Sequence, residues 1–73
     1  MRDVEYINID IERVRLRMSY ADLAEKLGVN RRTIYEWITG SNIPVGQLVK
    51  MSELFGCSID YLLGLTEVRK RAS

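Results

Sequence analysis

Glycine and proline divide the chain into short segments whose apolar residues recur at helical spacing. The breaks fall at Gly28, Gly40 with Pro44, Gly56 and Gly64. Between them, apolar residues return three and four positions apart, as they do on one face of an α-helix. The pattern predicts an all-α domain made of a bundle of short helices.

The first segment fits two templates. Residues 7–11 alternate between isoleucine and polar residues as in a strand, whereas Ile7, Ile11, Val14 and Met18 lie on one helical stripe. We favour a helix, because the acidic residues come early in the segment and the arginines late, which suits the helix dipole. No second strand is evident in the sequence to pair with the first.

Two further helices are predicted by their capping residues. Ser19 can cap a second helix, with Asp22 completing a variant of the capping box, and Gly28 ends it. Asn30 can cap a third helix directly after the turn that Gly28 opens. The inward faces of these helices are Leu23, Ala24 and Leu27, then Ile34, Trp37 and Ile38. This spacing predicts a helix-turn-helix arrangement.

Two more helices complete the predicted bundle. A fourth follows Pro44, and a short fifth is capped by Ser58. Their apolar positions are Leu48, Met51, Leu54 and Phe55, then Ile59, Leu62 and Leu63. We therefore expect five helices.

Length and composition exclude several classes of protein. The 73 residues leave room for one domain, and 47% hydrophobic with 29% charged residues is typical of a folded globular chain. There is no histidine, so a Cys2His2 zinc site is excluded and the commonest general base is absent. We expect no enzymatic activity, no metal and no cofactor.

The single cysteine and the short apolar runs bear on the compartment. Cys57 cannot form an internal disulfide, whereas a secreted domain of this size usually carries several cysteines. We expect Cys57 to be a small buried residue and the protein to be cytoplasmic. The apolar runs are too short for a membrane span or a signal peptide.

Charge is distributed unevenly along the chain. Residues 1–12 carry four acids and one arginine, whereas residues 13–32 carry six basic residues and two acids. The formal net charge of the whole chain is only +1. Because nucleic-acid binding depends on a local basic face, this total neither supports nor forbids it.

Several motifs stand in the order and at the spacing of a known family. They are Leu23-Ala24, Leu27-Gly28-Val29, the capped Arg31-Arg32-Thr33-Ile34, the Gly-x-x-x-Pro loop at 40–44 and the closing Ile-Asp-Tyr-Leu-Leu-Gly at 59–64. In these features the chain resembles the xenobiotic-response-element family of phage Cro and repressor type helix-turn-helix proteins. The resemblance covers roughly residues 9–64.

The resemblance implies an architecture and a partner. It implies a five-helix, lambda-repressor-like DNA-binding domain over residues 1–64, with residues 65–73 as a basic C-terminal tail. It also implies binding to double-stranded DNA, usually as a symmetric homodimer, with the helix at 31–38 in the major groove.

The first turn of the third helix carries the candidate base-reading residues. Arg31 and Arg32 lie where the helix dipole is positive, which disfavours cations unless an anion is nearby. By resemblance, Arg31, Arg32, Thr33 and Glu36 match positions that reach base edges, and Tyr35 lies beside them. Arginine can bond guanine, threonine can meet a thymine methyl and glutamate can accept from cytosine. The alternative is a solvated face in which Arg32 pairs with Glu36.

Five polar residues are candidate phosphate contacts. They are Ser19, Tyr20, Asn30, Ser41 and Asn42. Tyr20 replaces a glutamine that is common in the family, and its phenol can donate to a phosphate oxygen, although it can equally cover the core beside Trp37. Ser41 and Asn42 stand where relatives often have basic residues, so we expect weaker contacts there.

Other arginines are harder to assign. Arg13 matches a family arginine that pairs with an acid near the end of the recognition helix, a position that Ile38 occupies here. We expect Arg13 to extend to solvent, find another acid or approach phosphate. Arg15 and Arg17 are interpreted as solvent-facing charges, and the basic run 69–71 as a linker or a loose phosphate tether.

The sequence is compatible with two functions from different classes. The first is a sequence-specific transcriptional regulator, a repressor that binds a palindromic operator as a homodimer. The apolar set Ile7, Ile9 and Ile11 and the end at 62–65 favour a dimer, because together they exceed what one small domain needs to bury. The alternative is a protein-interaction module, such as an antitoxin-like partner or a coactivator, because fold alone does not determine function.

Overall fold

The computed structural model describes residues 5–69, which form five α-helices around one core. The helices are α1 (Ile7–Arg15), α2 (Tyr20–Leu27), α3 (Arg31–Ile38), α4 (Val45–Phe55) and α5 (Ile59–Leu62). The predicted all-α architecture with five helices is confirmed. Among the described residues, no helix is long and apolar enough to cross a membrane.

The helix caps follow the sequence closely. Ser19 Oγ accepts from the backbone N–H of Asp22 at 3.0 Å, and the Asp22 carboxylate accepts from the N–H of Ser19 at 3.0 Å, so the capping box is complete. Gly28 ends α2 in the left-handed region, with φ 75°. Asn30 Oδ1 accepts from the N–H of Thr33 at 2.9 Å. These local contacts fix both ends of α2 and the start of α3, so that only a short turn separates the two helices.

The prediction that the first segment is a helix is confirmed. Its residues Ile7, Ile11 and Val14 are 48%, 46% and 58% exposed. The buried face of α1 consists of Ile9 and Glu12, each 1% exposed. The stripe of isoleucine and valine therefore faces away from the core, and a carboxylate takes an inward position.

The core gathers side chains from all five helices. Its largest members are the aromatic residues Trp37, Phe55 and Tyr61, and its fully buried members include Leu23, Ile34, Met51 and Leu62. The predictions that Trp37 and Cys57 are buried are confirmed, at 7% and 0% exposure. This core fixes α3 with its inward face covered and its outward face in solvent.

The buried carboxylate of Glu12 joins distant parts of the chain. Arg69 donates to both Glu12 oxygens at 2.9 Å, and Arg15 donates to Glu12 Oε1 at 3.0 Å. The Tyr61 hydroxyl donates to Glu12 Oε2 at 3.2 Å. Both arginines also donate to the carbonyl of Phe55, Arg69 at 2.6 Å and Arg15 at 3.4 Å. The network ties α1 to the end of α4, to α5 and to the segment after α5.

These contacts keep Glu12 ionised despite its burial. Burial by itself would raise the pKa of Glu12, because it penalises the charged carboxylate. The hydrogen bonds from Arg69, Arg15 and Tyr61, together with the charge of Arg69, outweigh burial and hold the pKa of Glu12 below its ordinary value. Burial and the hydrogen bond to Glu12 raise the pKa of the Tyr61 phenol.

Two expectations about arginines are therefore wrong. Arg15 is not a plain solvent-facing charge, because it is bound to Glu12 and Phe55. Arg69 is neither a linker residue nor a loose tether, because three hydrogen bonds hold its guanidinium. The other two basic residues of that run, at 70 and 71, lie outside the described residues.

Candidate nucleic-acid interface

The outward side of α3 presents most of the candidate base-reading residues to solvent. Because Ile34, Trp37 and Ile38 are buried, the opposite side of the helix is turned away from the core. Arg31, Arg32, Tyr35 and Glu36 are exposed there, and Thr33 is half-buried at the edge.

The two arginines of the first turn, Arg31 and Arg32, make few stabilising contacts with the rest of the described chain. The Arg32 Nε atom lies 3.4 Å from Glu36 Oε2, and the two side chains are 85% and 50% exposed. Such an exposed pair contributes roughly 0.3–0.5 kcal/mol. Within residues 5–69, Arg31 makes no ion pair, and the first turn of α3 contains no acid. Both cations therefore face solvent at the positive end of the helix dipole.

Two candidate residues, Asn30 and Thr33, form the N-terminal cap of α3 and use some of their polar groups for it. Asn30 Oδ1 accepts from both the backbone N–H and the hydroxyl of Thr33, at 2.9 and 3.0 Å. The amide N–H groups of Asn30 and the methyl group of Thr33 take no part in these bonds. The cap thus fixes both side chains and leaves those groups for a ligand.

A groove lies between the start of α2 and the first turn of α3. It is open to solvent and has a volume of about 680 Å³. It is lined by Arg13, Ser19, Tyr20, Ala21, Arg31, Arg32 and Tyr35. The groove unites three candidate base-reading residues with two candidate phosphate contacts.

The remaining candidates lie outside this groove. Ser41 and Asn42 are exposed in the loop after α3, where the N–H of Ser41 donates to the Glu36 carbonyl at 2.9 Å. Glu36, Thr33 and Asn30 flank the groove along α3 rather than line it. The candidate surface is therefore the groove together with the exposed side of α3 and the loop that follows.

Arg13 also lines this surface, and the sequence left three alternatives open for its contacts. It pairs with Asp10 at 2.8 Å, donates to the Met18 carbonyl at 2.6 Å and lies 4.5 Å from the centre of the Tyr20 ring. Of the three alternatives for Arg13, the structure selects another acid. The signal was available, because Asp10 stands three residues before Arg13 on the same helix.

The position of Tyr20 fits both roles considered for it, a phosphate contact and a cover for the core. The side chain is half-buried against the core and also lines the groove, with its ring held by Arg13. A guanidinium over an aromatic face is attractive by about 0.5–2 kcal/mol. The contact fixes the ring at the start of α2, where backbone N–H groups also favour an anion.

The chemistry of the surface suits an anionic, extended ligand. It combines three guanidinium groups, one of them partly neutralised by Asp10, with the N-terminal ends of α2 and α3. In the part of the chain that is described, no three His, Cys, Asp or Glu side chains gather as metal ligands do.

Comparison with known proteins gives one family and several relatives. Residues 9–62 match the family model described as helix-turn-helix. A protein of Methanocorpusculum labreanum is 42% identical over 59 residues, which are 74% of this chain and 19% of that protein. One of Halobacterium salinarum is 33% identical over 73 residues, covering 88% of this chain and 23% of its own length.

A third relative, from Methanoculleus marisnigri, is 40% identical over 47 residues, which are 64% of this chain and 16% of that protein. All three are provisionally named HTH-type transcriptional regulatory proteins. The chain thus spans less than a quarter of the length of the curated relatives it matches. No solved structure matches it significantly.

Proposed function

Because this chain belongs to the helix-turn-helix family of the phage Cro and repressor type, we propose that it binds double-stranded DNA and regulates transcription. The observation that carries the proposal is the pair of exposed arginines in the first turn of α3. Their placement is unfavourable in the free protein and becomes favourable when an anionic ligand arrives. The names of the relatives support the same role.

In this proposal, α3 enters the major groove and reads bases. Arg31 and Arg32 bond guanine, Thr33 meets a thymine methyl and Glu36 accepts from cytosine, with Tyr35 packing beside them. The Arg32–Glu36 pair orients Arg32 until a base replaces the carboxylate. All of these side chains lie on or beside the solvent-facing side of α3.

The phosphate contacts flank the reading helix on both sides. Ser19 and Tyr20 approach the backbone from the start of α2, and Asn30 does so through its amide group. Ser41 and Asn42 approach from the loop after α3. These neutral groups set the position of the protein on the duplex and carry no base preference.

The finer assignment is a cytoplasmic repressor that acts as a homodimer on a palindromic operator. Repression is the simpler role, because it requires only occupancy of the operator, whereas activation also requires a surface for the transcription machinery. Two copies reach successive major grooves when the half-sites are about 34 Å apart. We propose no catalytic activity and no cofactor for this domain.

The test is selection of bound sequences from a random duplex pool. The proposal predicts enrichment of an inverted repeat whose half-site centres are about one DNA turn apart. Enrichment of a single half-site without its repeat would contradict the palindromic dimer alone. Recovery of unselected sequence would contradict base reading as a whole.

One observation favours a protein-interaction module instead, namely the apolar stripe Ile7, Ile11 and Val14 that α1 exposes. An antitoxin-like partner or a coactivator would use such a surface to hold another protein. A gel shift at two salt concentrations separates the two functions. The regulator retains a preferred sequence at high salt, whereas the interaction module shows only weak binding that salt abolishes.

A further inference from the structure

The first helix has two apolar sides, and only one of them is used by the core. Successive residues of a helix turn by about 100°, so Ile7, Ile11 and Val14 lie on the side opposite Ile9 and Glu12. All three are about half exposed, and their spacing of four and then three residues makes them a continuous ridge. We call these three residues the α1 stripe.

The charges at the two ends of the α1 stripe have opposite sign. Glu5 precedes α1 and Arg17 follows it, and both are exposed. Between them, Asp10 is already paired with Arg13 and Glu12 with Arg15, so the charges at the two ends are the ones that can set the orientation of a partner. A second copy laid antiparallel would therefore bring Glu5 near the partner's Arg17, whereas a parallel copy would bring like end charges together.

We propose that the α1 stripe is the contact surface for a second copy of this chain, docked antiparallel about a two-fold axis that passes near Ile11. In this arrangement Ile11 meets its own counterpart, and Ile7 meets the partner's Val14. Glu5 meets the partner's Arg17, because the two residues are equally far from Ile11 in the sequence. The interface is self-complementary, as a two-fold dimer requires.

The inference names the surface for the homodimer of the proposed function and rests on that function only for its role on DNA. A helix of nine residues is about 14 Å long, so the contact is at the small end of specific interfaces. We therefore expect a weak, concentration-dependent dimer in free solution, which an operator with two half-sites would strengthen.

The first experiment measures self-association by sedimentation equilibrium of the full chain without DNA. Ile11→Glu places two like charges at the axis and should raise the dimer dissociation constant about tenfold or more. Val45→Glu is the matched control, because Val45 is an exposed valine of α4, at 72%. Far-UV circular dichroism checks that both variants keep their helices.

Loss of the dimer in Val45→Glu but not in Ile11→Glu would overturn the proposal in favour of a contact through α4. A wild type that remains monomeric at millimolar concentration would also overturn it, and the α1 stripe would then belong to another partner.

The second experiment tests the antiparallel register. Glu5→Arg and Arg17→Glu should each weaken the dimer, and the double variant should restore it, because the pair then has reversed signs. Lys50→Glu, an exposed charge reversal on α4, should change nothing. A double variant that associates no better than either single one would overturn the register.

The third experiment separates this inference from the proposed function. Binding to a duplex with only one half-site should be unchanged in Ile11→Glu, while binding to the full operator should lose its cooperativity. If Ile11→Glu keeps its cooperativity, the inference fails and the proposed function stands. If wild type dimerises through the α1 stripe but selects no sequence, the proposed function fails and the inference stands.

Discussion

Two groups of arginines in this molecule differ in what holds them. Arg15 and Arg69 converge on the buried carboxylate of Glu12 and on the carbonyl of Phe55. Arg31 and Arg32 project from α3 into solvent, and the Arg32–Glu36 pair is exposed. The residue type is the same, so its role is decided by the acceptor that the fold supplies.

The difference is energetic as well as geometric. A buried carboxylate cannot lose its cationic partners without a large desolvation penalty, so the Glu12 arginines are committed to the fold. An exposed ion pair is screened by water and salt and is easily exchanged for another anion. We therefore propose that the first group stabilises the fold and that the second binds the ligand.

The largest loss of stability is expected when the buried network loses the carboxylate of Glu12. Glu12→Ala leaves Arg15, Arg69 and the Tyr61 hydroxyl without their shared acceptor and should lower the free energy of unfolding by about 3 kcal/mol. Asp10→Ala removes a partly exposed partner of Arg13 and should cost less than about 1 kcal/mol. Urea unfolding of both variants compares them, and equal losses would contradict the special position of Glu12.

Lowering the pH should also weaken the network around Glu12. Because the pKa of Glu12 is lower in the folded chain than the ordinary value of 4.5, its contribution is complete above about pH 4.5. The contribution is lost as the pH falls through the lowered folded pKa. The stability difference between wild type and Glu12→Gln should therefore shrink on acidification. A difference that stays constant down to the acid transition would exclude this linkage.

On the binding side, Tyr20→Phe is expected to have a moderate effect. If the phenol donates to phosphate, its loss should weaken binding to operator and random DNA equally, by about 1 kcal/mol. The salt dependence of binding should hardly change, because a neutral hydroxyl releases no counterion. Fluorescence anisotropy measures the affinity of wild type and Tyr20→Phe for both duplexes. Unchanged affinity returns Tyr20 to the core rim, and an altered base preference makes it a reading residue.

The smallest effect on stability is expected at Glu36. Glu36→Gln removes an exposed partner of Arg32 and should change the free energy of unfolding by no more than about 0.5 kcal/mol. Its effect should appear in the preferred base at one operator position instead. A stability loss as large as that of Glu12→Ala would erase the distinction between the two groups of arginines.

The local parts of the fold could be predicted, and the long-range ones could not. Ser19, Gly28 and Asn30 signal the ends of α2 and α3 through contacts that span only a few residues. The sequence did not indicate the inward side of α1, because its isoleucines lie on two sides of the helix. Nothing local indicates that Glu12 is buried, since its main partner, Arg69, is 57 residues away.

The same distinction between local and longer-range contacts applies to the candidate site. The exposure of α3 followed from the buried spacing of Ile34, Trp37 and Ile38, which is a local pattern. The contact of Arg13 with Tyr20 depends on the path of the segment that joins α1 to α2, so only its short-range partner Asp10 was accessible from the sequence.

The most direct test measures operator affinity and unfolding free energy together for Arg31→Ala, Arg32→Ala and Arg15→Ala. We predict that each α3 variant loses about 10- to 100-fold in affinity per half-site with unchanged stability. Arg15→Ala should lose stability and retain its half-site affinity. If Arg31→Ala and Arg32→Ala both bind the operator as wild type does, the assignment of α3 as the reading helix is wrong.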